Sequence, residues 1–509
     1  MKSRTIRRLI VVLTKVASLH SVALVWFVVY CMVGRYGLGQ NVTDFTIAGA
    51  AIDSRGELED RNVLFILADD LGAHDLGCYE ADLIETPNID RFASSGLRFA
   101  RAYSPAPVCT PTRASILTGK HPARLKMTIW SEGAIEAPTN RKLRPGFSKP
   151  DLDWSEITLA ELFHDAGYYT ASVGKWHLGD AGHAPETQGF DMNVGGNHWG
   201  APTSFFFPYR GRRPNGEIRY VPHLAMGESN EYLTDRLASE AIRVMEYAEK
   251  QNKPFFVMLN HYAPHTPIEC KPQDEEYFLK KRRPEFKHQN CGYAGMIRSL
   301  DESIGRLIDH LKERSLFEKT VIVLCSDNGG YIGIDESRQQ PVTSNWPLRS
   351  GKSSLYEGGL RVPLIIRWPG QSTAGQVTDQ TVVLTDLFQT LIRSSRKIDQ
   401  RLITSADGID LYPLLFGDRT ESRDLLYFHY PHYYHAPRTT PCSSVRQGPW
   451  KLIHYYEDGK SELYQLDQDP AEERDLFETS SAFANGMLEN LRSWLREVDA
   501  ELPQKKDRE

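Results

Sequence analysis

The chain has 509 residues and a formal net charge of −6, with 40% hydrophobic and 25% charged residues and a mean hydropathy of −0.44. That length allows one large core and a smaller second domain. The acidic balance, with no basic run interleaved with aromatics, argues against a nucleic-acid partner.

The N-terminus breaks the acidic pattern. Residues 1–40 carry Lys2, Arg4, Arg7, Arg8, Lys15 and Arg35 and no acid, so removing those six charges from −6 leaves −12 on residues 41–509. Behind the basic residues, Ser21–Val33 is uncharged. It is shorter than the about 20 residues of a spanning helix and fits the apolar region of a signal peptide. Gly37-Leu38-Gly39 offers a cleavage site. Extending the run back to Leu9 gives a longer, imperfect span suited to a membrane anchor, and both readings of residues 1–40 stay open. Either one predicts an exported body, whether periplasmic, secreted or anchored outside the cytoplasm.

From about Arg61 short apolar runs alternate with amphipathic segments. Val63–Ala68, Phe255–Asn260, Val321–Ser326 and Pro363–Trp368 read as buried strands. Thr158–Ala166, Leu233–Gln251 and Tyr293–Arg314 read as helices; in the last, Ile297, Leu300, Ile304, Leu307, Ile308 and Leu311 keep helical spacing. This alternation predicts an α/β sandwich over residues 60–415, with a large, mainly parallel central sheet. Past about Leu415 the texture changes. Ser443–Gln447, Trp450–Tyr456 and Glu462–Leu466 read as short strands joined by turns, and Phe483–Val498 as a helix. A small C-terminal domain over 420–500, an antiparallel sheet with one helix, is expected, followed by a disordered charged tail at Lys505–Glu509.

Of the cysteines, Cys31, Cys78, Cys109, Cys270, Cys291, Cys325 and Cys442, none shows a zinc-binding spacing. Cys270 and Cys291 flank a charged loop, which leaves a disulfide and two free thiols both open. Cys325 lies inside a strand run as a small hydrophobe.

Ligands of such sheets bind beyond the carboxyl ends of the strands. Asp69-Asp70, His261 to His265 and Asp327-Asn328-Gly329-Gly330 each follow a strand there. Alone, the acidic pairs are solvated caps or turns. Together, three carboxylates and an amide oxygen make a hard-oxygen set for Ca²⁺ or, less well, Mg²⁺, because the larger ion tolerates irregular ligands. Lys175 and His177 follow a short strand two positions apart, so both are expected to point the same way.

NVLFILADDLG at 62–72, PVCTPTRASILTG at 107–119 and GYYTASVGKWHLG at 167–179 are followed by APHTP at 263–267, SDNGG at 326–330 and SGKSSLYEGGLRVP at 350–363. These motifs resemble, in order, those of the type I sulfatases, the formylglycine-dependent, arylsulfatase-like members of the alkaline phosphatase superfamily. RQGPWKLI and ELYQLDQDPAEERDL are similar to that family's C-terminal domain, so the resemblance runs from about residue 60 to 480.

The resemblance implies that a formylglycine-generating enzyme oxidises Cys109 to an aldehyde. Asp69, Asp70, Asp327, Asn328 and the modified Cys109 would ligate the metal, and Arg113 would hydrogen-bond the aldehyde hydrate or those ligands. Lys175 and His177 would orient the hydrate and supply a base. His265 and Lys352 would contact the sulfate, with His265 protonating the leaving oxygen; His261 is expected to pack at its strand end. One hydroxyl of the hydrate would attack sulfur, and deprotonation of the second would expel sulfate. The expected substrate is a sulfated carbohydrate. The alternatives are a phosphodiesterase or phosphonate monoester hydrolase of the same superfamily, or a non-catalytic binder of sulfated glycans if Cys109 is not matured.

Two departures stand out. His74 and Glu80 occupy positions where many relatives have glycine, and are expected to sit on a loop. The segment 195–216, rich in aromatics, Gly and Arg, is either a packed surface loop or a sugar-binding wall. In the second case its rings would stack on pyranoses and its arginines would meet further sulfate or carboxylate groups.

Overall fold

The computed structural model describes residues 60–506 except 136–139, 214, 225, 400–405, 421–422 and 436–437. The basic and apolar segment at 1–40 therefore lies outside the described residues. Among them, no helix is long and apolar enough to cross a membrane.

An eight-stranded sheet forms the centre. Its strands are β1 Asn62–Ala68, β2 Leu97–Tyr103, β3 Tyr169–Gly174, β4 Met192–Val194, β5 Phe255–Asn260, β6 Thr320–Ser326, β7 Arg361–Arg367 and β8 Val377–Val383. They lie in the order β8-β2-β7-β6-β1-β5-β3-β4. The apolar run of β1 is buried on both faces, which places it mid-sheet. Its side chains alternate as the two-residue period requires. Leu64, Ile66 and Ala68 join the core beneath the helices Leu233–Lys250 and Cys291–Glu313, while Val63, Phe65 and Leu67 join the core on the opposite face.

β1 pairs in parallel with both β5 and β6, with Leu67 opposite Asn260 and Ala68 opposite Ser326. This register sets the first residues after the three strands, Asp69, His261 and Asp327, side by side at one edge. β7 departs from the parallel pattern and runs antiparallel to both β2 and β6. The chain stays at the carboxyl edge from Asp327 through the loop to Leu360, so its next strand has to descend from that edge.

The helices match their predicted spans closely, at Leu159–Asp165, Leu233–Lys250 and Cys291–Glu313. The first starts with a capping box: Thr158 Oγ1 accepts the Glu161 N–H and Glu161 accepts the Thr158 N–H, both at 3.1 Å.

The C-terminal sheet has four antiparallel strands, β9 Leu425–Tyr430, β10 Cys442–Gln447, β11 Trp450–Tyr455 and β12 Ser461–Gln465. β9 escapes the sequence reading because LLYFHY has no alternation. The reason is packing on both sides. Helix Ser481–Glu497 covers one face through Met487 and Leu491, while Phe428 and Tyr430 on the other pack with Tyr103, Val108 and Leu360 of the large body. The tail expectation needs correcting at its start, because Gln504–Lys505 pairs with Leu143–Arg144; residues 507–509 lie outside the described residues. Cys270 and Cys291 are separate, buried free thiols.

The loop after β1 is held from below by a side chain that no motif singles out. Asp75 is fully buried and accepts hydrogen bonds from the Gly72 N–H at 2.7 Å, Tyr293 at 2.6 Å and Thr343 at 2.9 Å. His288 bridges Asp75 at 3.1 Å and Asp82 at 2.7 Å. His74 is stapled to the Tyr79 carbonyl at 2.9 Å, and exposed Glu80 adopts φ 74°, so both sit on the loop. Burial disfavours the His288 imidazolium, but Asp75 and Asp82 outweigh it and raise its pKa above the usual 6.5. A raised histidine pKa stabilises the fold fully below the unfolded value, and that contribution disappears as pH climbs through the folded one. His288→Gln should therefore cost about 1.5–3 kcal/mol below the usual histidine pKa and progressively less above it. Melting temperatures of both proteins across this range check the convergence; a constant gap would refute it.

Candidate active site

β1 delivers Asp69 and Asp70 to the sheet edge, with Asp70 in the left-handed region at φ 65°. That conformation is tolerable for Asp but unusual, and it is pinned: the Asp70 N–H donates to Asp327 Oδ1 at 3.2 Å, and the Tyr293 hydroxyl, whose one proton is shared with the closer Asp75, lies 3.1 Å from the Asp70 carbonyl. β6 delivers Asp327 and Asn328. Asn328 Nδ2 donates to Asp70 Oδ1 at 2.8 Å, while its Oδ1 is buried with no hydrogen-bond partner.

Cys109 is the first residue of helix Cys109–Thr118, whose N-cap, Val108, is extended and offers no side-chain cap. The free N–H groups and dipole of this buried helix thus face the site and favour negative charge there. Cys109 Sγ lies 3.3 Å from Asp69 Oδ1 and 3.9 Å from Asp70 Oδ1. Burial, then Asp327 and Asp69, push the thiol pKa up, so the unmodified side chain stays protonated.

Three buried cations answer the carboxylates. Arg113, one turn beyond Cys109, donates to Asp327 Oδ2 from Nε at 2.9 Å and to the Lys175 carbonyl at 3.1 Å. Lys175 donates to Asp69 at 2.7 Å. Lys352 donates to Asp70 at 2.9 Å and lies 3.5 Å from Cys109 Sγ. Burial raises the Asp70 carboxyl, but Lys352 and His265 outweigh it and hold the pKa at about 2. Asp69 goes the other way: burial, with Asp327 and Asp70 nearby, lifts it to about 7 despite Lys175.

Two histidines complete the cluster. His265 Nδ1 lies 2.7 Å from the Thr266 carbonyl, which can only accept, so the neutral ring carries its proton there and presents a bare Nε2. That Nε2 is 3.6 Å from Asp70 Oδ2. Burial and Lys352 lower its pKa to about 3. His177 is buried beside Gly200 with φ 60°, and burial with Lys175 and Arg113 keeps it neutral. The strand has already ended there, so alternation does not govern its direction. Lys175 instead reaches into the carboxylates, while His177 borders the cavity at Cys109.

All ten residues expected at the site therefore converge on one edge. Asp69, Asp70, Cys109 and His265 each place a ligand atom within 4.8 Å of the others, an arrangement able to hold a metal ion. His261 does not join them; it is buried against Ser303 at 3.1 Å. The aromatics of 195–216 divide from its arginines: Phe205 and Tyr209 are core residues, while Arg212 and Arg213 line the cleft above the site. Sequence reasoning missed the cleft's Tyr331 and Tyr434, and Glu132 in the inner cavity. These carry no local motif and reach the site only through tertiary packing.

The sulfatase family model matches residues 61–394, and that of the N-sulphoglucosamine sulphohydrolase C-terminal region matches 350–501. N-acetylgalactosamine-6-sulfatase of Canis lupus familiaris is 33% identical over 399 residues, covering 75% of this chain and 71% of its own. Arylsulfatase A of Homo sapiens is 31% identical over 416 residues, covering 79% and 76%. The crystal structure of Ps i-CgsB in complex with k-i-k-neocarrahexaose superposes with a TM-score of 0.68 at 27% identity, covering 86% of this chain and 93% of that one. With its motifs gathered at one sheet edge and its sequence matched over most of its length, the chain belongs to the sulfatase family and is a sulfuric ester hydrolase.

Proposed function

We propose that this sulfatase cleaves sulfate monoesters of a sulfated carbohydrate, using a formylglycine made from Cys109 and a Ca²⁺ ion. The observation that carries this reading is the placement of Cys109 at a helix N-terminus, 3.3 Å from Asp69 and 3.5 Å from Lys352. The carbohydrate substrate is supported by relatives named for N-acetylgalactosamine-6-sulfate and by the neighbour solved with a neocarrahexaose.

The chain's own groups fit a hard cation. Asp69, Asp70 and Asp327 are balanced by Arg113, Lys175 and Lys352, so a bound divalent ion would leave the site positive, as an anionic ester requires. The raised Asp69 pKa and the orphaned Asn328 Oδ1 are what a site built for one further cation shows. Asp69, Asp70, Asp327, Asn328 and residue 109 would hold the ion, which supplies Lewis-acid charge opposite the sulfate oxygens.

When present and hydrated, the aldehyde at 109 supplies one hydroxyl to attack sulfur and a second whose deprotonation releases sulfate. Lys352 and Lys175 hold the anionic ester and the carboxylates in register. His177, neutral and bordering the pocket, takes the proton of the second hydroxyl. His265 carries no proton on Nε2 until an anion enters; the bound sulfate then opposes Lys352 and favours the imidazolium, so that Nε2 takes up a proton from solvent through the open cleft and hands it to the leaving oxygen. Residues 109–113 are buried, so maturation by a formylglycine-generating enzyme precedes their folding. Export directed by residues 1–40 accords with a glycan substrate outside the cytoplasm.

Peptide mass analysis across residues 102–113 should show a loss of about 18 Da relative to the cysteine form, and Cys109→Ala should abolish turnover while the protein stays folded. An intact thiol in fully active enzyme would refute the nucleophile. Chelation should lower both activity and melting temperature, the latter through a loss of about 2.7 kcal/mol of folding stability where free ion had stood at 100 times its Kd. Ca²⁺ should restore both better than Mg²⁺, and a chelator without effect on either would overturn the metal assignment.

A further inference from the structure

Two cavities meet at the site. The inner one, about 170 Å³, is lined by Cys109 and His177; the outer cleft is about 680 Å³. Ala201, Arg213, His265, Lys352 and Tyr434 border both, so the two are continuous. Cavities that enclose a whole small ligand measure about 300–1,000 Å³. The inner cavity therefore takes only the reacting end of a ligand, and the cleft takes the rest.

Of the bordering side chains, Lys352 is committed to Asp70, and His265 faces the same carboxylate. Arg213 is not committed. Three arginines project near this wall from the hairpin Arg210–Arg212 and Ile218–Tyr220 and its turn. Arg219 is neutralised by Glu217 at 2.8 Å and Glu132 at 3.3 Å, and lies over the Trp199 ring. Arg212 donates to the Gly216 carbonyl at 3.0 Å. The exposed Arg213 guanidinium forms no ion pair or hydrogen bond with a described residue, although Glu217, already paired with Arg219, is near enough to feel its charge, and it alone of the three borders both cavities.

Tyr434 gives the same junction a fixed aromatic face. Its backbone pairs both ways with Thr439, at 3.1 and 3.0 Å; its ring meets Trp130 near a right angle at 5.7 Å and stacks on His435 at 4.6 Å, so one face is held and only the other is left for a ligand. A face of this kind suits the apolar side of a pyranose.

We propose that the enzyme recognises a multiply anionic oligosaccharide. With the scissile sulfate at Cys109, the sugar bearing it lies against Tyr434, and Arg213 pairs with a second sulfate or carboxylate on the neighbouring sugar. This rests on the carbohydrate sulfatase reading above. A guanidinium suits either group, since it donates two parallel hydrogen bonds to planar or tetrahedral oxyanions.

The test is calorimetric titration of the full chain carrying Cys109→Ala, with and without Arg213→Gln. The probes are a carrageenan tetrasaccharide (sulfates only), a chondroitin sulfate tetrasaccharide (sulfates and carboxylates) and 4-nitrophenyl sulfate. Arg213→Gln should weaken at least one tetrasaccharide by about tenfold or more, and 4-nitrophenyl sulfate by a clearly smaller factor, with Arg213→Lys recovering part of the loss. Loss on both tetrasaccharides assigns sulfate as the second group; loss on the chondroitin probe alone assigns carboxylate. Equal factors for the tetrasaccharides and the small ester, or no weakening of either tetrasaccharide, would overturn the assignment of Arg213. Failure of the Cys109→Ala protein to bind either tetrasaccharide, while it still binds 4-nitrophenyl sulfate, would instead overturn the carbohydrate reading itself. Arg213 is exposed, so unchanged melting temperatures should accompany all of these results.

Discussion

Three carboxylates are buried within a few ångströms of one another at the edge of the central sheet, and the surrounding structure answers that constraint. Burying even one ion costs several kcal/mol unless it is paired and hydrogen-bonded. Asp69 and Asp327 directly follow adjacent parallel strands and cannot separate without breaking the register of β1 against β6. The charge has to be met where it stands. Arg113 does so from a helix, Lys175 from the end of β3 and Lys352 from the long loop before β7. Segments far apart in sequence are thus drawn to one point by electrostatics as much as by packing.

The same constraint accounts for local strain. Asp70, His177 and Ser353 all take positive φ, which costs side-chain-bearing residues of order 1–3 kcal/mol each when nothing compensates. At Asp70 the compensation is visible as a bond from its own N–H to Asp327, one from Asn328 to its carboxylate, and the approach to its carbonyl of the Tyr293 hydroxyl, which is also tied to Asp75. Asp75 thus fixes, from beneath, the loop that carries Asp70.

Much of this was legible in the sequence because the residues that gather at the site travel in short motifs. Asp69-Asp70, Cys109 to Arg113, Lys175 to His177 and Asp327-Asn328 each lie at or just beyond a strand or at a helix start, and the α/β alternation alone says that such ends converge. What resisted reading depends on long-range pairing. The antiparallel course of β7 follows from which sheet edge the preceding loop occupies, and periodicity does not carry that. LLYFHY gave no strand signal because both its faces are covered. Within 195–216, composition could not separate Phe205 and Tyr209, which went to the core, from Arg213, which did not. Tyr434 comes from the C-terminal part, more than 300 residues from Cys109, and only the folded chain brings the two to one cavity.

That last point bears on how the C-terminal sheet serves the enzyme. Lys451, wholly buried on β11, pairs with Glu357 at 2.9 Å and Glu472 at 3.0 Å, and Glu472 also accepts the Glu357 N–H at 2.7 Å. Glu357 accepts from Tyr103 at 2.6 Å and stands five residues beyond Lys352, in the same loop. Arg349, on the other side of Lys352, donates to Tyr464 at 3.1 Å. The loop is therefore clamped on both flanks of Lys352 by groups of the C-terminal part. A lysine on a free loop would spend side-chain and backbone entropy each time it met an anion; a clamped one has already lost that freedom on folding. The connection between β9 and β10 brings Tyr434 to the cavity that Cys109 lines, and the sheet itself holds the loop of Lys352 in place, so the C-terminal part shapes the candidate site from both sides.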